Sequence, residues 1–368
     1  MNEADFMRQA LDLAAKGLGL ATPNPMVGSV IVRDGQVVGK GFHTWEVVKH
    51  AEVIALEEAG SRARGATVYV TLEPCSHTGR TGPCADALIA ASVGKVVAAS
   101  MDPNPVVSGE GFRKLREAGI PAEIMPEFQE AAEKLNEPFF HFMRTGRPLV
   151  MLKSALTLDG KIAAPQDNTG WITSERARAH VQELRHASDA MLTGIGTVLA
   201  DDPQLNDRSG RPRARALLRV VLDSTLRIPV ESRLVRTAKD DVVIATTSAA
   251  SPERRKALEA RGVEVRAFDG PRGRVDVGDV ISMLAERRCL SVMIEAGSKV
   301  NWAALESGAV DKVFLYYAPK ILGGMESLPM AGGAGRQRRV DAILLERTTV
   351  HPIPPDEFAV EAYVRREG

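Results

Sequence analysis

His50-Ala51-Glu52, then Leu72-Glu73-Pro74-Cys75-Ser76-His77-Thr78-Gly79-Arg80-Thr81-Gly82-Pro83-Cys84: these two stretches decide the reading of the first half of the chain. One imidazole and two thiolates are borderline-to-soft donors of the kind zinc takes. A catalytic zinc site uses three protein ligands and leaves one position for water, whose pKa falls from 15.7 to about 7. Glu52, two residues beyond His50 at a helix start, reaches the same cavity without ligating. A carboxylate there can move a proton from water to a ring nitrogen and a departing amine, the arrangement of zinc nucleobase deaminases. A closed structural site would need a fourth ligand, His77 or His43, and would leave Glu52 without a purpose. For His43, an ordinary packed histidine and a substrate contact are equally good readings.

Working outward, the pattern is that of an α/β layered domain. Apolar spacing predicts a helix over Asn2–Lys16. Strands are expected over Gly28–Val32 and Gln36–Gly41, joined at the hairpin signal Asp34-Gly35. A helix over His50–Ala59 ends at Gly60, a buried strand covers Ala66–Leu72, and Cys84–Ala91 and Lys95–Ala99 follow as helix and strand. Glu137–Pro148, with two prolines and a glycine, reads as a boundary. It divides the chain into expected domains 1–145 and 146–368. Beyond it, strands are expected at Leu149–Ala155, Ala190–Thr193, Ala216–Leu222, Asp241–Ala245, Ser291–Glu295 and Val313–Ala318. Helices are expected at Ser174–His186, Pro252–Ala260, Val277–Glu286 and Lys299–Ser307.

The 368 residues are 44% apolar, enough for two cores, and Lys plus Arg equals Asp plus Glu at 47 each. That balance speaks against a nucleic-acid or anionic-membrane partner, and so against an RNA deaminase, although Arg208–Arg219 is locally basic. No apolar run has membrane-spanning length, and the N-terminus lacks the basic-then-apolar order of a signal peptide. Three cysteines do not make a disulfide framework, so a reducing cytoplasm is expected, with Cys289 read as core. Retention of Glu52 argues against a module that has lost its chemistry.

The Leu72–Cys84 stretch, with Thr22-Pro23-Asn24-Pro25-x-Val27-Gly28 and Asp102-Pro103-Asn104-Pro105, resembles the deaminase of the bifunctional deaminase–reductase family of riboflavin biosynthesis. The second half is similar to the reductase of that family. The matching stretches include Lys153-Ser154-Ala155-x-x-Leu158-Asp159-Gly160-Lys161, Trp171-Ile172-Thr173-Ser174, Gly196-Thr197-Val198-Leu199-Ala200-Asp201-Asp202-Pro203, Leu222-Asp223-Ser224 and Glu295-Ala296-Gly297. It lacks the Gly-x-Gly-x-x-Gly of a Rossmann site. The resemblance covers nearly the whole chain. It implies a cytidine-deaminase-like three-layer domain followed by a dihydrofolate-reductase-like domain. It also implies zinc and NADPH as cofactors and a phosphoribosyl pyrimidine as substrate; an assembly of like chains is expected.

Residue by residue, the expected metal ligands are His50, Cys75 and Cys84, with Glu52 catalytic. The resemblance puts Asn24 in the pyrimidine pocket, and the long Cys75–Cys84 loop brings His77 and Arg80 to the cavity mouth. Ala155, Trp171, Thr197, Asp201 and Ser224 are implied to line the cofactor pocket. Gly297 and Ser298, at a strand end opening a helix, are expected to take the pyrophosphate. Thr169, Arg185, Leu205, Arg208 and Glu295 are implied for the substrate, with Arg185 and Arg208 suited to its phosphate. The 2′-phosphate of NADPH is expected at Ser224 or Thr246-Thr247-Ser248. The family has a glycine in the turn before the ligand histidine, near Glu46 or Val47. This chain has none between His43 and His50, so a residue ill suited to positive φ is expected in that turn.

Overall fold

The computed structural model describes residues 2–104, 107–166 and 168–366. The chain forms two compact units, one of residues up to Gly146 with Pro212–Arg215, the other of Arg147–Arg211 and the chain from Ala216 on. Pro212–Arg215, within the expected second domain, thus packs with the first unit, through a bond from Ala214 N to Gly19 O.

The first unit is built on a five-stranded sheet. Its elements are α1 (Glu3–Ala15), β1 (Gly28–Arg33), β2 (Gln36–Phe42), α2 (Ala51–Ala59), β3 (Thr67–Val70), α3 (Cys84–Ala90), β4 (Lys95–Ala98), α4 (Glu110–Glu117), β5 (Ala122–Ile124), α5 (Gln129–Leu135) and α6 (Glu137–Thr145). The strand order is β2-β1-β3-β4-β5, with β1 antiparallel to both neighbours and β3, β4 and β5 parallel. Asn2 caps α1 in a reciprocal bond with Asp5. Asp34 and Gly35 both take positive φ, as a two-residue hairpin requires.

The division between the units falls within Glu137–Pro148, after Gly146, but most of that stretch is helical. Glu137–Thr145 is a helix that starts on Pro138 and ends on Gly146 at φ 72°. Proline is tolerated in the first turn, where its missing N–H has no partner anyway. The helix is anchored to β1's approach by Asn136, whose side chain exchanges two hydrogen bonds with the backbone of Met26, at 2.7 and 2.8 Å.

The second unit holds β6 (Leu149–Thr157), β7 (Lys161–Ala163), α7 (Glu175–His186), β8 (Ala190–Gly194), α8 (Ile195–Asp201), β9 (Leu218–Leu222), α9 (Arg233–Arg236), β10 (Val242–Thr246), α10 (Pro252–Glu259) and β11 (Glu264–Ala267). These are followed by α11 (Val277–Glu286), β12 (Ser291–Ile294), α12 (Ser298–Glu306), β13 (Lys312–Ala318), β14 (Leu328–Pro329), β15 (Leu345–Ile353) and β16 (Glu357–Val364). Nine strands form one sheet in the order β11-β10-β9-β8-β12-β6-β13-β16-β15, parallel up to β13 and antiparallel beyond. The parallel strands are buried on both faces, which is why β8, β10 and β12 read as unbroken apolar runs. β15, at the edge, and β16 beside it alternate weakly, so apolar runs do not announce them. Among the described residues no helix is long and apolar enough to cross a membrane.

Candidate functional sites

In the first unit three donors converge. His50 caps α2, Cys75 follows β3 in the loop, and Cys84 opens α3. Their ligand atoms lie within 4.8 Å of one another. His50 Nδ1 is 3.1 Å from Cys84 Sγ and 3.5 Å from Cys75 Sγ. The Cys75–Cys84 loop closes through bonds from Cys84 N to Cys75 Sγ and from Ala85 N to Cys75 O. Hydrogen bonds from Cys84 and His50 hold the Cys75 thiol down at about 4, while Cys75 and burial push Cys84 up. The cluster thus shares protons that a bound cation displaces. Two sulfurs and one imidazole around one point fit zinc with an open position.

Glu52 lies in the first turn of α2 and is 4% exposed. Burial, reinforced by the neighbouring Cys75, raises its carboxyl to about 7, and it bonds to Cys84. It therefore sits beside the donors with a carboxyl that can take up or release a proton near neutral pH.

The mouth of this site is held by its neighbours. Asn24 Nδ2 lies 2.9 Å from His43 Nε2, and His43 Nδ1 lies 3.0 Å from Lys49 O. Both His43 nitrogens are thus engaged, and burial lowers its pKa, so it is a satisfied buried histidine edge-on to His50. In the turn before His50, the residue at positive φ is Val48 at 59°, one position later than the turn glycine was placed. Lys49 N bonds Val47 O across it. Arg80 stacks 4.2 Å from the Trp45 ring and bonds Trp45 O, and exposed His77 acts electrostatically on Asp102. Buried Glu73 accepts from the backbone N–H groups of Asp102, Gly109, Gly111 and Phe112. One carboxylate therefore fixes the segment that carries Asp102 and Asn104. Pro105 of that motif lies outside the described residues.

In the second unit Glu295, Gly297 and Ser298 follow β12, Thr197 and Asp201 follow β8, and Ser224 follows β9, at the carboxyl ends of parallel strands, where open α/β sheets bind ligands. Glu295 follows β12 and bonds Lys153 Nζ of β6 at 2.9 Å and Arg185 of α7 at 2.8 and 3.1 Å. Burial alone would raise the Glu295 carboxyl, but the cations Lys153 and Arg185 hold it at about 2. Arg185 also donates to Asn206 O, so its buried fork is held between Glu295 and the loop after α8. Lys153, quoted in the β6 motif but given no role, is the residue sequence reasoning missed. Its signal was a lysine inside the apolar run Val150-Met151-Leu152-Lys153.

Thr197 and Asp201 stand on α8, and burial raises Asp201. A Cβ on Gly297 would come 3.9 Å from Thr197 Oγ1, so the ends of β12 and β8 face one another. Gly297 caps α12 without a side-chain acceptor, and Ser298 Oγ is enclosed with no hydrogen-bond partner. A bare helix start on a glycine fits a pyrophosphate. Ala155 on β6 and Ser224 after β9 are half-buried. Trp171 is 67% exposed beneath Arg178 at 4.7 Å, and Thr169 and Arg208 are exposed. Leu205 is buried at φ 54°.

Comparison with known proteins agrees with both units. The family described as cytidine and deoxycytidylate deaminase zinc-binding region matches residues 1–100, and the RibD C-terminal domain matches 148–356. Riboflavin biosynthesis protein RibD of Actinobacillus pleuropneumoniae is 42% identical over 97% of this chain and 94% of its own length. The Escherichia coli protein of that name is 40% identical over 97% and 98%. The solved RibD of Acinetobacter baumannii superposes with TM-score 0.87 at 37% identity, covering 98% of each chain. A deaminase/reductase from Thermotoga maritima gives 0.83 at 36%, again over 98% of each. The cytidine-deaminase-like and dihydrofolate-reductase-like folds, and the use of zinc and NADPH, follow from these matches. The chain belongs to the RibD family of bifunctional riboflavin-biosynthesis enzymes, with a zinc-binding deaminase domain and an NADPH-dependent reductase domain.

Proposed function

We propose that the domain of residues 1–145 hydrolyses the 2-amino group of 2,5-diamino-6-(5-phosphoribosylamino)pyrimidin-4(3H)-one. The domain of residues 146–368 then reduces the ribosyl side chain to ribityl with NADPH, giving 5-amino-6-(5-phosphoribitylamino)uracil. The observation that carries this reading is the enclosed Glu52 carboxyl beside the His50, Cys75 and Cys84 donors.

Zinc held by His50, Cys75 and Cys84 would supply a Lewis acid that makes water nucleophilic near neutral pH. Glu52 takes a proton from the attacking water and gives it to the ring nitrogen beside C2. It then takes the second proton, from the hydroxyl now on C2, and passes it to the amine, which leaves as ammonia as the C–N bond breaks and the C2 carbonyl forms. Asn24, itself held by His43, orients the pyrimidine. His77 and Arg80 meet the phosphoribosyl arm, Arg80 from its stacked position on Trp45.

In the reductase, Gly297, Ser298 and Thr197 would hold the cofactor pyrophosphate, with Ala155, Trp171, Asp201 and Ser224 along its length. NADPH supplies a hydride for C1 of the ribose. The Lys153 ammonium, held by Glu295, stands as the proton donor to the substrate. Arg208 takes the substrate phosphate, Arg185 holds Glu295 in place, and Thr169 and Leu205 complete the pocket. We further propose a cytoplasmic enzyme that assembles with like chains. The test is a Glu52→Gln variant assayed for ammonia release and for zinc content. Loss of deamination with zinc retained supports the assignment, and near-native turnover overturns it.

A further inference from the structure

The reading of the second unit as an NADPH site leaves open which groups recognise the 2′-phosphate, and the following rests on that reading. The strand ends run in the order β12, β8, β9, β10, β11. Lys153 on β6 and Glu295 after β12 mark where the hydride must arrive. The nicotinamide therefore lies on the β6 side, and the adenosine extends over β8 toward β9 and β10. With about 4.8 Å between neighbouring strands, β9 is about 10 Å from β12.

At the end of β10, Thr247 Oγ1 donates to Ser224 O at 2.8 Å, Ser248 N donates to Asp269 Oδ1 at 2.8 Å, and Thr246 Oγ1 is enclosed without a hydrogen-bond partner. These bonds tie down another element, the tight loop after β11. Asp269 pairs with Val275, Gly270 N donates to Arg274 O at 2.8 Å, and Val275 N donates to Ser224 Oγ at 3.2 Å. A Cβ on Gly270 would come within 2.9 Å of Arg274 O and Asp276 N, so the loop closes only on glycine. It crosses from the β11 edge back to the end of β9, and it carries Arg272 and Arg274. Both are exposed, and among the described residues neither makes an ion pair or a side-chain hydrogen bond. Arg272 sits at φ 59°, at the tip of the loop.

We propose that Arg272 and Arg274, on the loop stapled to Ser224, form the 2′-phosphate clamp that makes the reductase select NADPH over NADH. Two guanidinium groups beside the end of β9 suit a dianionic phosphate, because each can give paired charge-assisted bonds to its oxygens. Ser224, whose Oγ accepts from Val275, keeps its own proton to donate. NADH lacks the group that the arginines address, so their removal costs it nothing.

The experiment is a binding titration of the full-length protein with NADPH and with NADH, followed by nicotinamide fluorescence in the absence of substrate. Adenosine 2′,5′-bisphosphate and 5′-AMP serve as competing fragments. The Arg272→Ala/Arg274→Ala double variant is expected to weaken NADPH and the bisphosphate about tenfold to a hundredfold, with NADH and 5′-AMP unchanged. An Arg272→Lys/Arg274→Lys variant should recover part of the loss. Unchanged NADPH affinity in the double variant would overturn the proposal. So would equal weakening of both dinucleotides, which would mark the loop as structural. Wild-type protein that binds neither dinucleotide would instead overturn the reductase reading on which the proposal stands.

Discussion

Lys153 Nζ lies 2.9 Å from Glu295 Oε1, while the other oxygen of the same carboxylate holds Arg185. One carboxylate therefore pairs with two largely buried cations. Replacing it by Glu295→Gln leaves both uncompensated, and the expected cost is about 3–5 kcal/mol of stability in the second unit, with reduction abolished. Urea unfolding monitored alongside NADPH oxidation checks both.

The same carboxylate sets a pH dependence. Its folded pKa of about 2 lies below the ordinary value of 4.5, so its contribution is complete above about pH 4.5. It is lost as pH falls toward 2. The stability gap between wild type and Glu295→Gln should therefore be equal at pH 7 and pH 5 and should shrink below pH 4. A gap that widens on acidification would contradict the assignment.

Much of this was legible in the sequence, for reasons that differ between the sites. The zinc donors and Glu52 lie in two short stretches, each fixed by a helix start, so spacing alone brings them near. The Lys153–Glu295–Arg185 cluster joins residues up to 142 positions apart, and only the β6–β12 pairing brings Lys153 to Glu295. The bond of Arg185 to Glu295 was not legible, because an arginine's pairing with an internal carboxylate leaves no local trace. Glu137–Thr145 read as a break because proline and glycine mark helix ends as well as loops. β15, at the edge of the sheet, and β16 beside it were missed because half-exposed strands carry little apolar signal.

Val48 occupies left-handed backbone, which costs a β-branched residue about 1–2 kcal/mol. Glycine removes that strain but adds chain entropy. Val48→Gly is expected to stabilise the first unit by about 0.5–1 kcal/mol net, with zinc content unchanged. A lower Tm for the variant would show that the turn is not strained.

Glu73 holds four backbone N–H groups. Glu73→Ala leaves them without their acceptor, at a cost of about 3 kcal/mol or more. Deamination should fall through a raised KM, since the segment bearing Asp102 loses its anchor. Reduction of supplied intermediate should be untouched. An unchanged KM in a destabilised variant would limit Glu73 to folding.

The two chemistries should separate within the intact chain. Cys75→Ser removes a zinc donor and should abolish ammonia release. NADPH oxidation on the supplied deaminated intermediate should continue at the wild-type rate. If a folded Cys75→Ser protein loses both activities, the sites are not independent.

The central claim is that one chain performs deamination first and reduction second. Mass spectrometry of the products formed from the phosphoribosyl diaminopyrimidine, with and without NADPH, tests it most directly. Without NADPH the zinc-loaded protein should accumulate a single species in which the 2-amino group has become an oxo group. With NADPH that species should give way to one carrying two further hydrogens on the sugar chain. Reduction of the side chain while the 2-amino group remains, or no deamination until NADPH is added, would contradict the account.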